Sequence, residues 1–526
     1  MQHTKNVTLI RTPPVLPVTS ITAQQGVPSL ALAYLAGTLK KNNYSVHCID
    51  ALGEKLGVYS NFGVKGLLSA GLNLTEIVDR IPVDTDFIGI SCQFSNDWIF
   101  SKKLLILINQ HYPHIRIFVG GEHTSSEYEV IFDQCPFVTA CIIGEGEETM
   151  LDLLSALENK KSLNEVSGIA HIEHGLVKKN SARKRIKKLD EISWPDWDVL
   201  PLENYLSAGL GMAAQGIRSM PVLASRGCPY RCTFCSAPQM WDAKWVSRDV
   251  QDVVKEVRTY IEKYKIDHIE FYDMSPSINI TWLKKLVEAI APLNISWNFP
   301  SGMRSEKLDS EFIFKMKQAG CYKLTFAIET SAPSLIKLIK KKVDPDRALK
   351  LIRESVKAEL ITKVNFIWGM DGQRKYDIFY DYYYICKLAF VGLHDATCFA
   401  FVPYPGSEDF QKLKAKGRIP LESEKYEKFL AFNVYNNPFK MKSWSKHIKH
   451  YQMTIFTLTG MALFYSLQFL FRPKRFYLLI QRLYQKKPIT MLELALYSIF
   501  HNFFIGKKTN RKIQILQAAT QMPNTV

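Results

Sequence analysis

Three cysteines stand close together in the segment "RGCPYRCTFCSAP", residues 226–238. Cys228, Cys232 and Cys235 follow the spacing C-x3-C-x2-C in a chain that has 10 cysteines altogether. Three kinds of site can use such thiols. A structural zinc ion normally needs four ligands, often two CxxC pairs. A dithiol redox site would use Cys232 and Cys235 and leave Cys228 over. An iron–sulfur cluster held by three thiolates keeps one iron open for a substrate or cosubstrate.

The spacing of the cysteines also indicates the cellular compartment of the protein. The 10 cysteines are irregularly spaced, and the first residues, "MQHTKNVTLIRTPP", contain no continuous apolar run of the kind a secretory signal has. We therefore predict a cytoplasmic protein whose cysteines are ligands or redox groups rather than disulfides. A length of 526 residues with 47% hydrophobic and 22% charged residues predicts a globular chain of two or three domains.

The net charge of +17 is concentrated towards the C-terminus. Residues 441–526 contain 13 Lys and Arg but one acid, Glu493. Such a surplus fits nucleic acid, anionic lipid or an acidic substrate. Because the basic residues alternate with apolar and aromatic runs, we favour the last two, expect no nucleic-acid partner and predict peripheral membrane contact through this region. The 19 uncharged residues 453–471 include polar side chains, which favours a buried or interface-lying helix over a membrane span.

Residues 1–160 alternate short apolar runs with helical patterns. "NVTLI", "SVHCID", "FIGISCQF", "IRIFVGG" and "ACIIGEG" are strand candidates, and "PSLALAYLAGTLKKNNY", "WIFSKKLLILINQHY" and "ETMLDLLSALEN" are helix candidates. This order predicts an α/β domain with a doubly wound parallel sheet, whose ligand lies beyond the carboxyl ends of the strands. Glycines at those ends, in "VGG" and "GEG", would let the backbone approach a bulky ligand.

A second βα series fills residues 221–410, with about six units from "PVLAS" to "ATCFAFVPYPGS". It predicts a partial (β/α) barrel of the TIM type, in which chemistry takes place at the carboxyl ends of the strands. The three cysteines follow the first strand. Residues 161–220 are predicted to be a connector with a small hairpin at "GIAHIEHGLVKK" and a solvated basic stretch, "KKNSARKRIKK". Residues 411–526 form a helical, basic C-terminal region.

The cysteine pattern after a first barrel strand, with Phe234 before the third cysteine, resembles the signature of the radical S-adenosylmethionine (SAM) superfamily. The resemblance implies a [4Fe–4S] cluster on Cys228, Cys232 and Cys235, with SAM on the open iron. One electron then cleaves SAM to a 5′-deoxyadenosyl radical that abstracts a substrate hydrogen. "HIEFYDMSPSI" and "AGCYKLTFAIET" resemble family segments as well, although Ala327 stands where the family usually has Gly. They imply SAM contacts at Phe234, Tyr272, Asp273 and Glu329.

The preceding domain and connector resemble those of the cobalamin-binding class of radical SAM enzymes. The segments that carry the resemblance are "GVPSLALAYLAGTLKKNNYSVHCIDA", "DFIGISCQFSN", "VGGEHTS" and "IIGEGEETMLDLL". Cobalamin is then expected along Ser91, Gly120, Gly121, Gly144, Glu145 and Gly146. Since the chain lacks the motif D-x-H-x-x-G, we expect no protein histidine as lower cobalt ligand. A degenerate domain that keeps the fold without the cofactor is the alternative.

The C-terminal part resembles the subgroup that includes the anaerobic magnesium-protoporphyrin ester cyclase and the hopanoid methylases. This resemblance implies methylation at an unactivated carbon of a small or lipid-like molecule, with an electron donor such as flavodoxin or ferredoxin as partner. The alternative within the family is a radical cyclase or rearrangement enzyme that does not deliver the methyl group. A third hypothesis, from another class, is a membrane-surface or nucleic-acid-binding protein with a structural cluster. The pattern identifies no catalytic side chain.

Overall fold

A computed structural model describes residues 5–18, 20, 26–211, 217–433, 441–485, 489–490 and 492–497 of the chain. The first α/β unit alternates strands and helices as the sequence predicts. Its elements, in chain order, are β1 Asn6–Arg11, β2 Val15–Pro17, α1 Leu30–Lys41, β3 Ser45–Asp50, β4 Tyr59–Ser60, β5 Leu67–Ala70, α2 Leu74–Val78, β6 Phe87–Ser91, α3 Trp98–His111, β7 Arg116–Gly120, α4 Glu122–Gln134, β8 Ala140–Ile142 and α5 Glu147–Glu158.

The main sheet of this unit is parallel from β8 through β7, β6 and β1 to β3. The helices cover both faces, because the apolar side chains of α1 and α5 join one core cluster and those of α2, α3 and α4 join another. The prediction of a doubly wound parallel sheet is confirmed. Ser91 pairs with Gly120, and Gly120 with Ile142, so β6, β7 and β8 end side by side.

The predicted connector does more than join two units. Its elements are β9 Ile169–Glu173, β10 Leu176–Lys179 and α6 Leu202–Ala208. The hairpin of β9 and β10 is present, and β9 pairs antiparallel with β8, so it extends the first sheet. Interpreting the whole basic stretch as solvated is wrong for Arg185, whose side chain is 8% exposed and whose Nε lies 2.7 Å from a Glu145 oxygen. The composition of the stretch shows that it is basic, but it does not show which of its cations forms a buried ion pair.

The second unit supplies the barrel. Its elements are β11 Ser219–Val222, β12 Ser225–Gly227, α7 Ala237–Met240, β13 Trp245–Ser247, α8 Val250–Tyr264, β14 His268–Phe271, α9 Ile280–Ile290, β15 Ser296–Asn298, α10 Ser310–Gln318, β16 Cys321–Glu329, α11 Pro333–Leu338, α12 Pro345–Lys357, β17 Ile361–Trp368, α13 Lys375–Val391 and β18 Asp395–Ala400. Strands β11, β14, β15, β16, β17 and β18 pair in that order and are parallel throughout. Six strands make an open barrel, as predicted.

The strands of this barrel have one packed face and one open face. Along β17 the even-numbered side chains from Thr362 to Trp368 are buried, and Val364, Phe366 and Trp368 belong to a core cluster that also contains helix residues. The odd-numbered side chains face the barrel interior and stay partly exposed. A filled barrel buries both faces. The interior here is therefore accessible.

The C-terminal region is helical where it is described, with α14 Glu408–Ala415, α15 Ser423–Asn433, α16 His450–Phe471 and α17 Pro473–Tyr484. Helix α16 contains the uncharged stretch 453–471 and packs against α13 and β18. The Gln468 amide donates to the carbonyl oxygens of Leu393 and His394 at 2.7 and 2.8 Å. By length and composition alone α16 is apolar enough to cross a membrane, and 22% of its most apolar window is buried.

A buried ion network joins the two α/β units. The Arg226 guanidinium of β12 lies 3.3 Å from a Glu145 oxygen and 2.7 Å from a Glu147 oxygen, and it stacks over the Tyr34 ring at 4.8 Å. Glu145 lies between β8 and α5 of the first unit, and Glu147 is the first residue of α5. All three charged side chains are less than 10% exposed. Removing one partner of such a network leaves an uncompensated buried charge, so the contact fixes how the units meet.

Replacing Glu147 with Gln should lower the free energy of unfolding by about 3 kcal/mol, since Arg226 loses its closest counter-charge. Although burial raises the pKa of Glu147, Arg226 lowers it below its ordinary value of 4.5 overall. The stabilisation should therefore be present above pH 4.5 and be lost as the pH falls below it. Urea unfolding at several pH values measures both effects.

The matched control is Glu148→Gln, on the same helix turn but with its side chain 54% exposed. It should change the unfolding free energy by less than about 0.5 kcal/mol. Equal effects of the two substitutions would contradict the role given to Glu147.

Candidate active site

The three cysteines lie in the loop between β12 and α7, at the carboxyl end of the first barrel strands. The loop starts at Gly227, whose φ is +87°, and a Cβ there would lie 2.1 Å from the Lys244 carbonyl oxygen. A glycine is needed because the β12–β13 hairpin passes so close. Cys228, Cys232 and Cys235 are unpaired thiols of intermediate burial. The loop thus presents three thiols at the end of the strands where barrel chemistry takes place.

The start of this loop is fixed by Asp273, which follows β14. Its carboxylate accepts hydrogen bonds from the Ala224 amide at 3.1 Å and from the Ser225 hydroxyl, and the side chain is fully buried. Burial raises the pKa of Asp273 to about 6. The predicted contact to SAM stays a prediction. The observed bonds give Asp273 a positioning role, since they attach β12 to the neighbouring strand.

The thiols lie near one another and near two cations. Burial raises the pKa of the Cys232 thiol, and the charges of Lys341 and Arg304 partly offset this effect. Burial likewise raises the pKa of Cys235 to about 12, so iron would have to displace its proton. Within the described ranges, no three His, Cys, Asp or Glu side chains converge tightly enough for a single metal ion. A cubane does not need that convergence, because each thiolate binds a different iron. The loop fits a [4Fe–4S] cluster with one open iron.

Glu329, the predicted SAM contact on β16, lies within electrostatic range of Cys232. One carboxylate oxygen lies 2.9 Å from the ammonium of Lys341, and both side chains are nearly buried. The φ of Glu329 is +66°, a left-handed conformation that is uncommon outside glycine. The strand pairing is also irregular between Phe326 and Glu329. A strained backbone conformation persists only where the surrounding structure enforces it, and such positions cluster at functional sites. The end of this strand is therefore marked as a functional position.

The other two predicted SAM contacts lie on either side of the loop. Phe234 is partly buried, packs against the core of the first unit and has the Lys341 ammonium 5.9 Å from its ring centre. The Tyr272 hydroxyl donates to Glu270 at 2.8 Å, and its backbone amide donates to the Val222 carbonyl. Phe234 thus lies near Lys341, the partner of Glu329, whereas Tyr272 lies at the carboxyl end of β14 beside β11.

The glycines predicted to line cobalamin form an open rim. Gly120 ends β7 beside Ser91, and a Cβ on Gly120 would meet nothing closer than the Ile142 Cβ at 3.7 Å. At Gly144, with a φ of +82°, a Cβ would meet no atom within 4 Å. The rim is therefore a smooth stretch of backbone with free space above it. Such an edge at the carboxyl ends of parallel strands suits a large flat ligand.

The remaining predicted cobalamin positions play different parts. Gly121 has a φ of +118°, and a Cβ there would lie 2.7 Å from the Cys92 carbonyl oxygen, so it allows two chain segments to meet. Gly146 begins α5. Glu145 is bound by Arg185 and Arg226 within the ion network. Its placement along cobalamin stays a prediction, as does the expected lack of a histidine ligand. His123 is buried close to the rim, with Nδ1 3.0 Å from the Ser95 hydroxyl.

The glycine rim and the cysteine loop touch directly. The Ser236 hydroxyl, one residue beyond Cys235, donates to the Glu122 carboxylate at the start of α4. The Ser125 hydroxyl of α4 accepts from the Gly144 amide at 3.0 Å and lies 3.5 Å from the Met240 sulfur of α7. The two carboxyl edges therefore face each other across one space, with thiols on one side and the rim on the other.

Sequence reasoning missed three cations of this site. Lys341 stands in the run Lys340–Lys342, which has the composition of a surface segment, yet it is 7% exposed. Arg304 follows β15 and stacks on Tyr230 at 3.6 Å. Arg226 is two residues before Cys228. The position of Arg226 next to the cysteines in the sequence could have identified it as a site residue, whereas the role of Lys341 depends on a tertiary contact.

Two family models match the chain. Residues 17–154 match the B12 binding domain, and residues 222–378 match the radical SAM superfamily. These ranges correspond to the glycine rim with its sheet and to the cysteine loop with its barrel.

Individual proteins agree with the two matches. The cytidylyl-2-hydroxyethylphosphonate methyltransferase of Streptomyces wedmorensis is 29% identical over 445 residues, covering 78% of this chain and 82% of that protein. The anaerobic magnesium-protoporphyrin IX monomethyl ester cyclase of Cereibacter sphaeroides is 24% identical over 400 residues, covering 74% of this chain and 60% of that protein.

A solved structure extends the similarity to the fold. The radical SAM methyltransferase TsrM from Kitasatospora setae, with cobalamin and a [4Fe-4S] cluster bound, superposes with a TM-score of 0.66 at 12% identity. The superposition covers 88% of this chain and 91% of that one. The order of the units, the three-thiol loop and the two matched domains lead to one conclusion: the chain is a radical SAM enzyme that carries a B12-binding domain, and so belongs to the cobalamin-dependent branch of the superfamily.

Proposed function

We propose that the protein methylates an unactivated carbon of a small or amphiphilic molecule. The observation that carries this proposal is the direct contact between the cysteine segment and the glycine rim, through Ser236 and Glu122 and through Met240 and Ser125. A substrate between the two edges lies next to both cofactor sites at once. Proximity of this kind is the main contribution a protein can make when cofactors supply the reactive groups.

In this proposal Cys228, Cys232 and Cys235 hold the cluster, and Glu329 and Phe234 contact SAM. The rim of Ser91, Gly120 and Gly144 carries cobalamin. When bound, these groups supply one-electron cleavage of SAM and methyl transfer. The protein orients them: Asp273 fixes the loop, Lys341 holds the Glu329 carboxylate, and the Arg226 network keeps the two edges apart at one distance.

A second candidate is a radical cyclisation or rearrangement in the same site without delivery of the methyl group. The cyclase relative supports it, because that protein is 24% identical to this chain over 400 residues. The two reactions differ in what they release from SAM. Methylation consumes one SAM for the methyl group and another for the radical, whereas cyclisation consumes SAM for the radical alone. In both, a one-electron donor such as flavodoxin or ferredoxin reduces the cluster.

We further propose that the cytoplasmic enzyme docks on an anionic bilayer surface through an aromatic face on α13, α16 and α17. Phe390 of α13 and Phe471 of α16 are about half exposed and have ring centres 5.5 Å apart. The face continues over further exposed side chains, which are Tyr376, Phe379, Tyr380, Tyr383, Tyr451, Ile455, Leu470, Phe476, Tyr477, Ile480 and Tyr484.

Charge favours a lipid surface for this face. The acids within α13, α16 and α17 are Asp377 and Asp381, and both are buried. Exposed cations such as Lys375 and Lys474 flank the aromatics, and the Lys387 ammonium lies 4.6 Å from the centre of the Tyr383 ring. Aromatic and basic side chains together suit the headgroup region of an anionic membrane. A lipid-like substrate would then reach the enzyme from that surface.

Anaerobic reconstitution with iron, sulfide and cobalamin should give a protein that releases 5′-deoxyadenosine from SAM when reduced. With its substrate it should release S-adenosylhomocysteine as well. Cys232→Ala should lose the cluster absorbance and lower deoxyadenosine release at least about a thousandfold, because two thiolates no longer hold the cubane. Mass spectrometry quantifies both products.

The matched control is Cys386→Ala, a half-buried thiol of α13 that should leave both signals unchanged. Deoxyadenosine without S-adenosylhomocysteine during substrate turnover would favour the cyclase alternative. Turnover of SAM by Cys232→Ala at the rate of the parent would contradict the proposal.

Gly120→Val should weaken cobalamin binding at least about tenfold without changing the thermal midpoint. The added methyl groups project into the free space above the rim and meet little of the protein itself. Absorbance titration with hydroxocobalamin measures the affinity. Lys161→Val, on the surface beyond the far end of α5, is the control. Unchanged affinity in Gly120→Val would place cobalamin elsewhere.

The double substitution Phe390→Ser and Phe471→Ser should weaken partition to phosphatidylserine-containing vesicles by about tenfold or more, because two half-exposed aromatics lose their burial in lipid. Vesicle co-sedimentation gives the ratio. Phe314→Ser, which removes a similarly exposed aromatic from α10, should have no effect. The docking proposal fails if the double variant sediments like the parent.

A further inference from the structure

The interior of the barrel contains two lysines on neighbouring strands, offset by two residues in the register, since Lys323 pairs with Ile361 and Lys363 with Thr325. Lys323 of β16 and Lys363 of β17 both point inwards, since Lys323 interacts electrostatically with Glu270 of β14 and Asp395 of β18, on opposite sides of the barrel. The Lys363 ammonium lies 5.9 Å from the centre of the Phe399 ring on β18. Two ammonium groups thus share one interior.

The acids in this interior are engaged by other groups. The Asp395 carboxylate accepts from the Tyr465 hydroxyl of α16 at 3.2 Å, and Glu270 accepts from Tyr272 at 2.8 Å. In the described part of the chain, neither lysine ammonium has a carboxylate within 4.0 Å. Burial lowers the pKa of Lys323 despite both acids, and burial together with Lys323 lowers that of Lys363 to about 8. Among the residues that the structure describes, the positive charge is therefore not fully compensated.

The side chains between these lysines and the mouth of the barrel are not fully packed. Above Lys363 the side chains of Asn365 and Ile367 are partly exposed, as are Thr397 and Phe399 on β18. The buried side-chain oxygen of Asn365 has no hydrogen-bond partner among the described residues. Lys363 stands three residues below Phe366, which pairs with Glu329. At about 3.3 Å per residue, this places it about 10 Å beneath the level of the SAM-site carboxylate.

We infer that the barrel interior binds a substrate carrying an oxyanion, a phosphate or a carboxylate, which Lys363 and Lys323 neutralise while the apolar body of the molecule lies against Phe399 and Ile367. This inference rests on the proposed function, because it places the anionic end of the substrate about 10 Å below the level of the Glu329 carboxylate, which the proposed function assigns to SAM. An ammonium pair desolvated in an interior gains more from an anion than the same pair in water. Asn365 adds a polar contact partway down.

The test uses the reconstituted, unreduced protein with cobalamin and SAM bound, and three probes that share a benzene ring. Phenyl phosphate and phenylacetate should bind more tightly than benzyl alcohol by calorimetry. Lys363→Met and Lys323→Met should each lower the affinity for the two anions at least tenfold and leave the affinity for benzyl alcohol unchanged. Lys363→Arg should keep the affinity within threefold. Lys350→Met, an exposed lysine of α12, is the control.

A second measurement needs no variant. In the parent protein, phenyl phosphate affinity should fall as the pH rises through about 8, where Lys363 loses its charge, while benzyl alcohol affinity stays constant. Besides burial, Lys323 and Asp395 set the pKa of Lys363 directly, while Glu270 interacts with Lys323 and the Tyr465 hydroxyl donates to Asp395.

The inference is overturned if the anions bind no better than benzyl alcohol, or if Lys363→Met binds phenyl phosphate like the parent. If the lysine substitutions lower the affinity for phenyl phosphate more than that for phenylacetate, the bound group is a phosphate. The opposite order identifies a carboxylate. Release of 5′-deoxyadenosine in the absence of substrate tests the proposed function independently of anion binding. The parent protein should show that release whether or not the anions bind, whereas a failure of the proposed function would abolish it.

Discussion

The structure depends on one buried arginine. Arg226 sits in the strand that leads into the cysteine loop and is held by Glu145 and Glu147, which stand where the glycine rim passes into α5. Burying these charges is costly, and only a fixed geometry offsets the cost. The two carboxyl edges therefore meet in one arrangement. Without it, each unit would still fold, but the space between them would have no defined width.

The order of strands and helices could be predicted from the sequence because each element has a clear period. The β1–α1–β3 pattern and the six barrel strands follow from short apolar runs that alternate with helical spacing. The cysteine loop could also be placed, since it follows a strand directly. Helix α13 gave no such pattern: its aromatics lie on the buried and the exposed face alike, so hydrophobicity does not mark its packed side.

The roles of individual polar residues were harder to predict. Asp273 and Glu145 were expected at cofactors, yet both bind other parts of the protein, because burial makes their carboxylates seek donors close by. Lys341 lies in a run of three lysines and became a site residue only through folding. Spacing along the chain identifies residues that act together locally. It does not identify a partner that approaches from a distant strand.

Helix α16 closes the lower end of the barrel, where Tyr465 binds Asp395 and Gln468 binds the backbone after α13. The barrel therefore has a floor, and its mouth opens towards the glycine rim. Substrate and product would then both pass through the space beside the contact that Arg226 fixes. Since a finished molecule has to leave before the next one enters, product release through this space would set the rate of turnover wherever it is slower than the chemistry.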